Sequence, residues 1–292
     1  MRKSSRVVSP SGQIITMCRL LAITLLVILS APIARAVQLP RPDHVVIVIE
    51  ENHGYAQIMD KRNRASYIHA LAKRGMLFTD SHGVTHPSLP NYLALFSGST
   101  QGVTNDSCRH TFNNDNLASS LLDAGFSFIT YSESLPETAY LGCASGAYQR
   151  KHNPAANWQG TRLPARINQR FADFPRDYSG LPTVSFVIPD QNNDMHDGSF
   201  EDADRWLKKR IEPYVAWAFR HNSLLVLTWD EDDFRAENHV ATILVGPMVK
   251  RGVSMQRIDH YSVLRTLLDF YGLPALGASR DAKAIAGIWK TP

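Results

Sequence analysis

The sequence predicts an α/β fold: a doubly wound, mostly parallel sheet flanked by helices. Three observations carry that prediction. Several short runs are apolar throughout rather than alternating, as strands covered on both faces must be. Segments with helical spacing fall between these runs. Polar clusters sit directly after them, where open α/β sheets bind ligands.

Taken in order, residues 45–49 are a continuous β-branched run and read as a buried strand. Residues 67–74 show helical spacing through Ile68, Leu71 and Ala72 and stop at Gly75. Residues 117–122 are helical in pattern and 126–131 extended. Runs 184–188 and 224–228 read as two further buried strands. Between them Leu207, Ile211, Val215 and Phe219 recur every fourth position, the stripe of one helix packed on a sheet. A strand is predicted over 241–245 and a closing helix over 261–271. The Pro-, Asn- and Arg-rich stretch 148–180 is expected to be a surface excursion that serves as a lid. There is no internal repeat.

The first residues read as an export signal. Arg2, Lys3, Arg6 and Arg19 precede an apolar run of about ten residues, and Ala34-Arg35-Ala36 offers small residues where a signal peptidase cuts. The run is well short of the roughly 20 residues that span a bilayer. Cleavage near Ala36, from a start at Met1 or Met17, and release into the periplasm or medium are expected, with no stable membrane insertion. Removing residues 1–36 takes away five basic residues and no acidic ones. The 31 basic and 27 acidic residues become 26 and 27, so the basic balance belongs to the signal. The rest gives no electrostatic ground for binding nucleic acid. Residues 37–292 suit one catalytic domain. Cys108 and Cys143 remain after Cys18 leaves, and an oxidising compartment favours a disulfide between them. Closing that loop of about 35 residues contributes roughly 3–4 kcal/mol in the chain-entropy model.

Ser88 precedes Pro90 and an apolar helical run, which puts it at or near a helix N-cap. Free N–H groups and the helix dipole favour an anion there, such as phosphate. Asp230, Glu231, Asp232 and Asp233 follow a buried strand. Four adjoining carboxylates repel one another, and a hard divalent cation bound by oxygen relieves that repulsion. Glu51 and Asn52 offer further oxygens from another strand end. Asp190, Asp194, His196 and Asp197 form a third cluster, and His239 begins the last predicted strand. Histidines in such places ligate metal, bind phosphate or donate a proton to a leaving group. His86, two residues before Ser88, is a candidate phosphate contact.

Five segments in order carry a resemblance: Glu51-Asn52-His53; Thr85 through Tyr92, then Phe96-Ser97-Gly98; Pro189 through Gly198; Trp229-Asp230-Glu231; and Asn238-His239-Val240. Together they resemble the bacterial phosphoesterase family of secreted acid phosphatases and phospholipases C, within the alkaline-phosphatase-like superfamily. The resemblance implies an exported phosphomonoesterase that works through a phosphoserine at Ser88. It implies one divalent metal held by Glu51, Asn52, Ser88, Asp230 and Glu231. Asn91 and His86 are then substrate-binding, and His196 and His239 bind phosphate or protonate the leaving group. The substrate is a small-molecule or lipid-headgroup phosphate ester. Glu231 stands where two-metal relatives of the superfamily carry histidine, which favours a single ion. Metal identity and oligomeric state stay open. A phosphodiesterase or phospholipase C is the nearer alternative, and a non-catalytic phosphate-binding protein on the same scaffold the further one. A formylglycine sulfatase is disfavoured, because Tyr92 stands where its maturation motif needs arginine.

Overall fold

A computed structural model describes residues 39–290; the export signal expected over 1–36 lies outside them. The chain opens with β1 (His44–Glu50), buried from its second residue onward, then α1 (Tyr55–Ile58) and α2 (Ser66–Arg74). Next come β2 (Met76–His82), α3 (Ser88–Ser97), α4 (Leu117–Asp123) and β3 (Phe128–Ser132). An irregular passage holds the small ribbon of β4 (Ala144–Ser145) and β5 (Tyr148–Gln149) and then β6 (Asn168–Arg170). It is followed by β7 (Val184–Ile188), α5 (Phe200–Arg210), α6 (Glu212–Ala218), β8 (Ser223–Trp229) and β9 (His239–Val245). The described chain ends on β10 (Gly252–Ser254), β11 (Ile258–Asp259) and α7 (His260–Phe270).

Nine strands form one sheet in the order β10-β2-β9-β8-β1-β7-β3-β6, with β11 beside β2. β1 runs parallel between β7 and β8, with Ile47 opposite Phe186 on one side and Val226 on the other. Alternate residues of β1 feed two cores. Val45, Ile47 and Ile49 pack with Leu93 of α3, Leu121 of α4 and Leu267 of α7. Val46 and Val48 pack with Leu71 of α2, Leu207 of α5 and Val215 of α6. Helices thus cover both faces, and each fully buried aliphatic side chain contributes roughly 1.5–3 kcal/mol. This is the expected fold class.

Four features depart from the sequence reading. β9 is antiparallel to both β8 and β2, because only the loop 230–238 joins it to β8 and a parallel crossover needs about a dozen residues or more. β2 has no apolar signature in the sequence, since its second half (Thr79 to His82) is polar. The single helical stripe through Leu207 and Phe219 is two helices that break at Ile211, where Pro213 in the first turn of α6 lacks an N–H. The stretch 148–180 is no surface lid over its first part. Residues 152–158 are buried, and β6 adds a strand to the sheet edge. Cys108 and Cys143 are disulfide-bonded, their Cα atoms 5.7 Å apart. No helix of the described residues is long and apolar enough to cross a membrane.

Candidate active site

The carboxyl ends of β1, β7 and β8 are tied together by their own backbones. The Asp230 N–H donates to the Glu50 carbonyl at 3.0 Å, and the Glu51 N–H to the Asp194 carbonyl at 2.8 Å. Asn52 then turns the chain at φ +50, a left-handed conformation that asparagine adopts more readily than most residues. That turn lets its N–H donate to Asp230 Oδ1 at 3.2 Å. Glu50 ends β1 and Glu51 is the first residue beyond it. Both are fully buried.

Ser88 is the first residue of α3, and all ten residues of that helix are buried. Its Oγ lies 3.0 Å from Glu51 Oε2, 3.2 Å from Glu231 Oε1 and 3.4 Å from Asn52 Oδ1. A hydroxyl has one proton and can donate to only one of these acceptors. Asp230 sits beside them with Oδ2 buried and without a hydrogen-bond partner. Burial first, then repulsion from Asp230, raises the carboxyl groups of Glu51 and Glu231 above the ordinary range; burial also raises Asp230. A surplus of inward-facing oxygens short of protons is the donor set a hard divalent cation takes, so these residues fit a metal.

A second group adjoins Glu51 on its other oxygen. Tyr92 OH donates to Glu51 Oε1, and His152 Nε2 lies 3.2 Å from the same atom. His152 Nδ1 lies 3.4 Å from Asp194 Oδ2, which is itself buried without a hydrogen-bond partner. Burial, with Lys151 and His196 nearby, depresses His152 well below the usual histidine range. Glu51, His152 and His196 place three ligand atoms within 4.8 Å of one another, a possible metal-binding triad. Lys151 Nζ stands 3.2 Å from His196 Nε2 and 3.0 Å from Asp106 Oδ2. Asp106 in turn accepts the Leu89 N–H at the start of α3.

Other candidates hold the rim. Asn91 Oδ1 accepts the Val84 and Thr85 N–H groups, and its Nδ2 donates to the Thr85 and Pro87 carbonyls and, at 3.3 Å, to Glu231 Oε2. Its amide is therefore engaged within the chain and not free for the phosphate oxygen that the resemblance assigns to it. His86 bridges Glu231 Oε2 at 2.8 Å and Asp232 Oδ1 at 3.2 Å. His196 Nδ1 lies 2.8 Å from Asp197 Oδ1. His239 stands apart: Nε2 pairs with the Thr79 carbonyl at 2.8 Å, and the ring stacks between Tyr55 and His82. Of the acidic run, Asp230 and Glu231 face Ser88, Asp232 accepts backbone N–H groups of its own loop, and Asp233 accepts from Gln57. Sequence reasoning did not single out His152, Lys151 or Tyr92. Lys151 and His152 lie in an irregular passage with no periodicity, and Tyr92 reads as an ordinary helix residue.

A mostly parallel sheet wrapped by helices, with a serine at a helix start facing carboxylates at the strand ends, suits the phosphoric-ester hydrolases, and the protein is one. Residues 59–274 match the phosphoesterase family, and the chain belongs to that family. A phosphatidylinositol-3-phosphatase of Mycobacterium tuberculosis is 44% identical over 254 residues, 86% of this chain and 84% of that one. An acid phosphatase of Aspergillus fumigatus is 31% identical over 226 residues, and the chain spans about half (51%) of its length. In fold, the chain is similar to a crystallised protein of the alkaline phosphatase superfamily from Vibrio parahaemolyticus. The TM-score is 0.63 at 12% identity, covering 86% of this chain and 72% of that one.

Proposed function

We propose that the protein is an exported, metal-dependent phosphomonoesterase that hydrolyses phosphate esters through a phosphoserine at Ser88. One observation carries the reading: a buried serine hydroxyl at the head of a helix faces three acceptor oxygens from two strand ends, at 3.0, 3.2 and 3.4 Å. Glu51, Asn52, Asp230 and Glu231 would hold one divalent ion with the Ser88 oxygen. When bound, that ion polarises the hydroxyl and neutralises charge on the phosphoryl oxygens.

The chain's own groups supply the rest. Ser88 Oγ attacks phosphorus and its proton leaves to a facing carboxylate, Glu51 Oε2 being nearest. The bond from phosphorus to the ester oxygen breaks as the Ser88–phosphorus bond forms. Lys151, paired with Asp106 and beside His196, contributes positive charge where the substrate is anionic. His196, oriented by Asp197, gives the departing oxygen its proton. His152, 3.2 Å from Glu51 Oε1, positions that carboxylate. His86 and Asn91 act through Glu231 by fixing its Oε2. Water then cleaves the phosphoserine, releasing phosphate and restoring Ser88.

The relative named as a phosphatidylinositol-3-phosphatase supports a phosphoinositide headgroup among the substrates. The disulfide supports an exported protein. Replacement of Ser88 by Ala tests the mechanism. Turnover of p-nitrophenyl phosphate should fall at least about a thousandfold while metal uptake persists. Turnover near the wild-type rate would refute the serine mechanism.

A further inference from the structure

The geometry points to Phe234 as a specificity-determining residue: its exposed ring, stacked on His86 beside the Ser88 cluster, is the platform for an apolar or aromatic leaving group. This rests on Ser88 being the nucleophile.

Phe234 is 70% exposed, one of the few large apolar side chains so placed among the described residues. Its backbone holds φ +66, a left-handed conformation that is strained for a bulky residue. Neither property helps the fold. The loop nonetheless enforces both: Asp232, fully buried, accepts the Phe234 N–H on Oδ1 at 2.8 Å and the Ala236 and Asn238 N–H groups on Oδ2. Asn238 completes the clamp, its Oδ1 accepting the Asp232 N–H at 2.9 Å. The turn is thus built to carry whatever side chain stands at 234 outward.

One face of the ring lies against His86, centroids 4.0 Å apart and planes 21° from parallel. His86 Nδ1 pairs with Glu231 Oε2, and Glu231 Oε1 faces Ser88 Oγ. Phe234 therefore stands three contacts from the nucleophile, on the solvent side of a buried cluster. The alcohol part of an ester bound at Ser88 must project outward from that cluster. The exposed ring, reaching the Ser88 cluster through His86 and Glu231, offers a flat apolar surface to esters with an aromatic or apolar group near the phosphate. Contact with the leaving group exists before and during bond cleavage, so the platform acts on KM rather than kcat.

The test compares p-nitrophenyl phosphate, an aryl ester, with glycerol 2-phosphate, a small polar one. Phe234→Asn removes the ring and suits the left-handed backbone; Phe234→Trp restores an aromatic face. The expected result for Phe234→Asn is an about five- to tenfold fall in the ratio of kcat/KM for the aryl ester to that for glycerol 2-phosphate, carried by KM. Phe234→Trp should recover the ratio. An unchanged ratio in Phe234→Asn, or an equal loss on both esters, overturns the platform. Ser88→Ala assayed alongside separates the two ideas: loss of turnover on both esters keeps the serine mechanism, whatever Phe234 does.

Discussion

Ser88 Oγ and Glu231 Oε1 lie 3.2 Å apart although 143 positions separate them in the chain. The contact joins the start of α3 to the end of β8, and it is one of three that surround the hydroxyl. Replacing Glu231 by Gln keeps the shape and removes the charge. The expected outcome is a loss of about a hundredfold or more in kcat/KM, with melting temperature held or raised in metal-free protein. Steady-state kinetics with calorimetry checks it, and a rate within about threefold of wild type would contradict the role given to Glu231.

Asp230 offers a buried oxygen with no hydrogen-bond partner. Asp230→Asn should lower bound metal from about one ion per chain toward none and abolish most activity. Elemental analysis after gel filtration is the measurement. Full metal content in the variant would remove Asp230 from the ligand set.

Stability should depend on pH in a defined direction when metal is stripped. Burial raises the carboxyl groups of Glu50, Glu51, Asp194 and Asp230 and pushes Glu231 to about 9. The folded chain then holds protons that the unfolded chain releases near pH 4. Stability is full below that range and declines as pH rises through and beyond neutrality. The depressed His152 and His260 contribute the opposite trend below about pH 6.5, so metal-free protein should lose several degrees of melting temperature between about pH 6.5 and pH 8. A divalent cation should restore most at the alkaline end. A melting temperature that climbs across this window without metal would show the sign to be wrong.

The disulfide fastens the passage that delivers Lys151 and His152. Arg150 N–H donates to the Cys143 carbonyl at 2.9 Å, and Arg150 reaches the Leu141 and His110 carbonyls on both sides of the bridge. Replacing Cys108 and Cys143 together by Ser should cost about 2–5 kcal/mol, a fall of about 5–15 °C in melting temperature. Activity should decline before global unfolding, because Lys151 and His152 lose their anchor. Coincident loss of activity and near-UV circular dichroism on heating would show that the passage has no separate dependence on the bridge.

Much of the fold is legible because buried parallel strands leave an unbroken apolar run, as 45–49 and 184–188 do. Strand direction leaves no such trace, so β9 reads like its neighbours although it runs the other way. Ser88, Glu51 and Asp230 stand out because strand ends and helix starts carry recognisable local chemistry. His152 does not: it sits among Pro154, Asn153 and Asn157, and only tertiary packing brings its ring to Glu51. Asn91 and Asn238 are visible as polar residues in suggestive segments. Their work as clamps on backbone groups depends on partners such as Thr85, whose carbonyl accepts from both amides.

The reversed course of β9 has a consequence for redesign. Because that strand enters at the catalytic rim, the segment 230–238 hangs from the sheet by two rigid posts. Asp230 and Glu231 belong to the first post, and Asn238 to the second. Between them, residues 233–237 form a short cassette clamped by Asp232, which touches the rest of the chain through Asp233 on Gln57 and Phe234 on His86. Sequences grafted there should keep an aromatic ring at 234 if His86 and, through it, Glu231 are to stay as built.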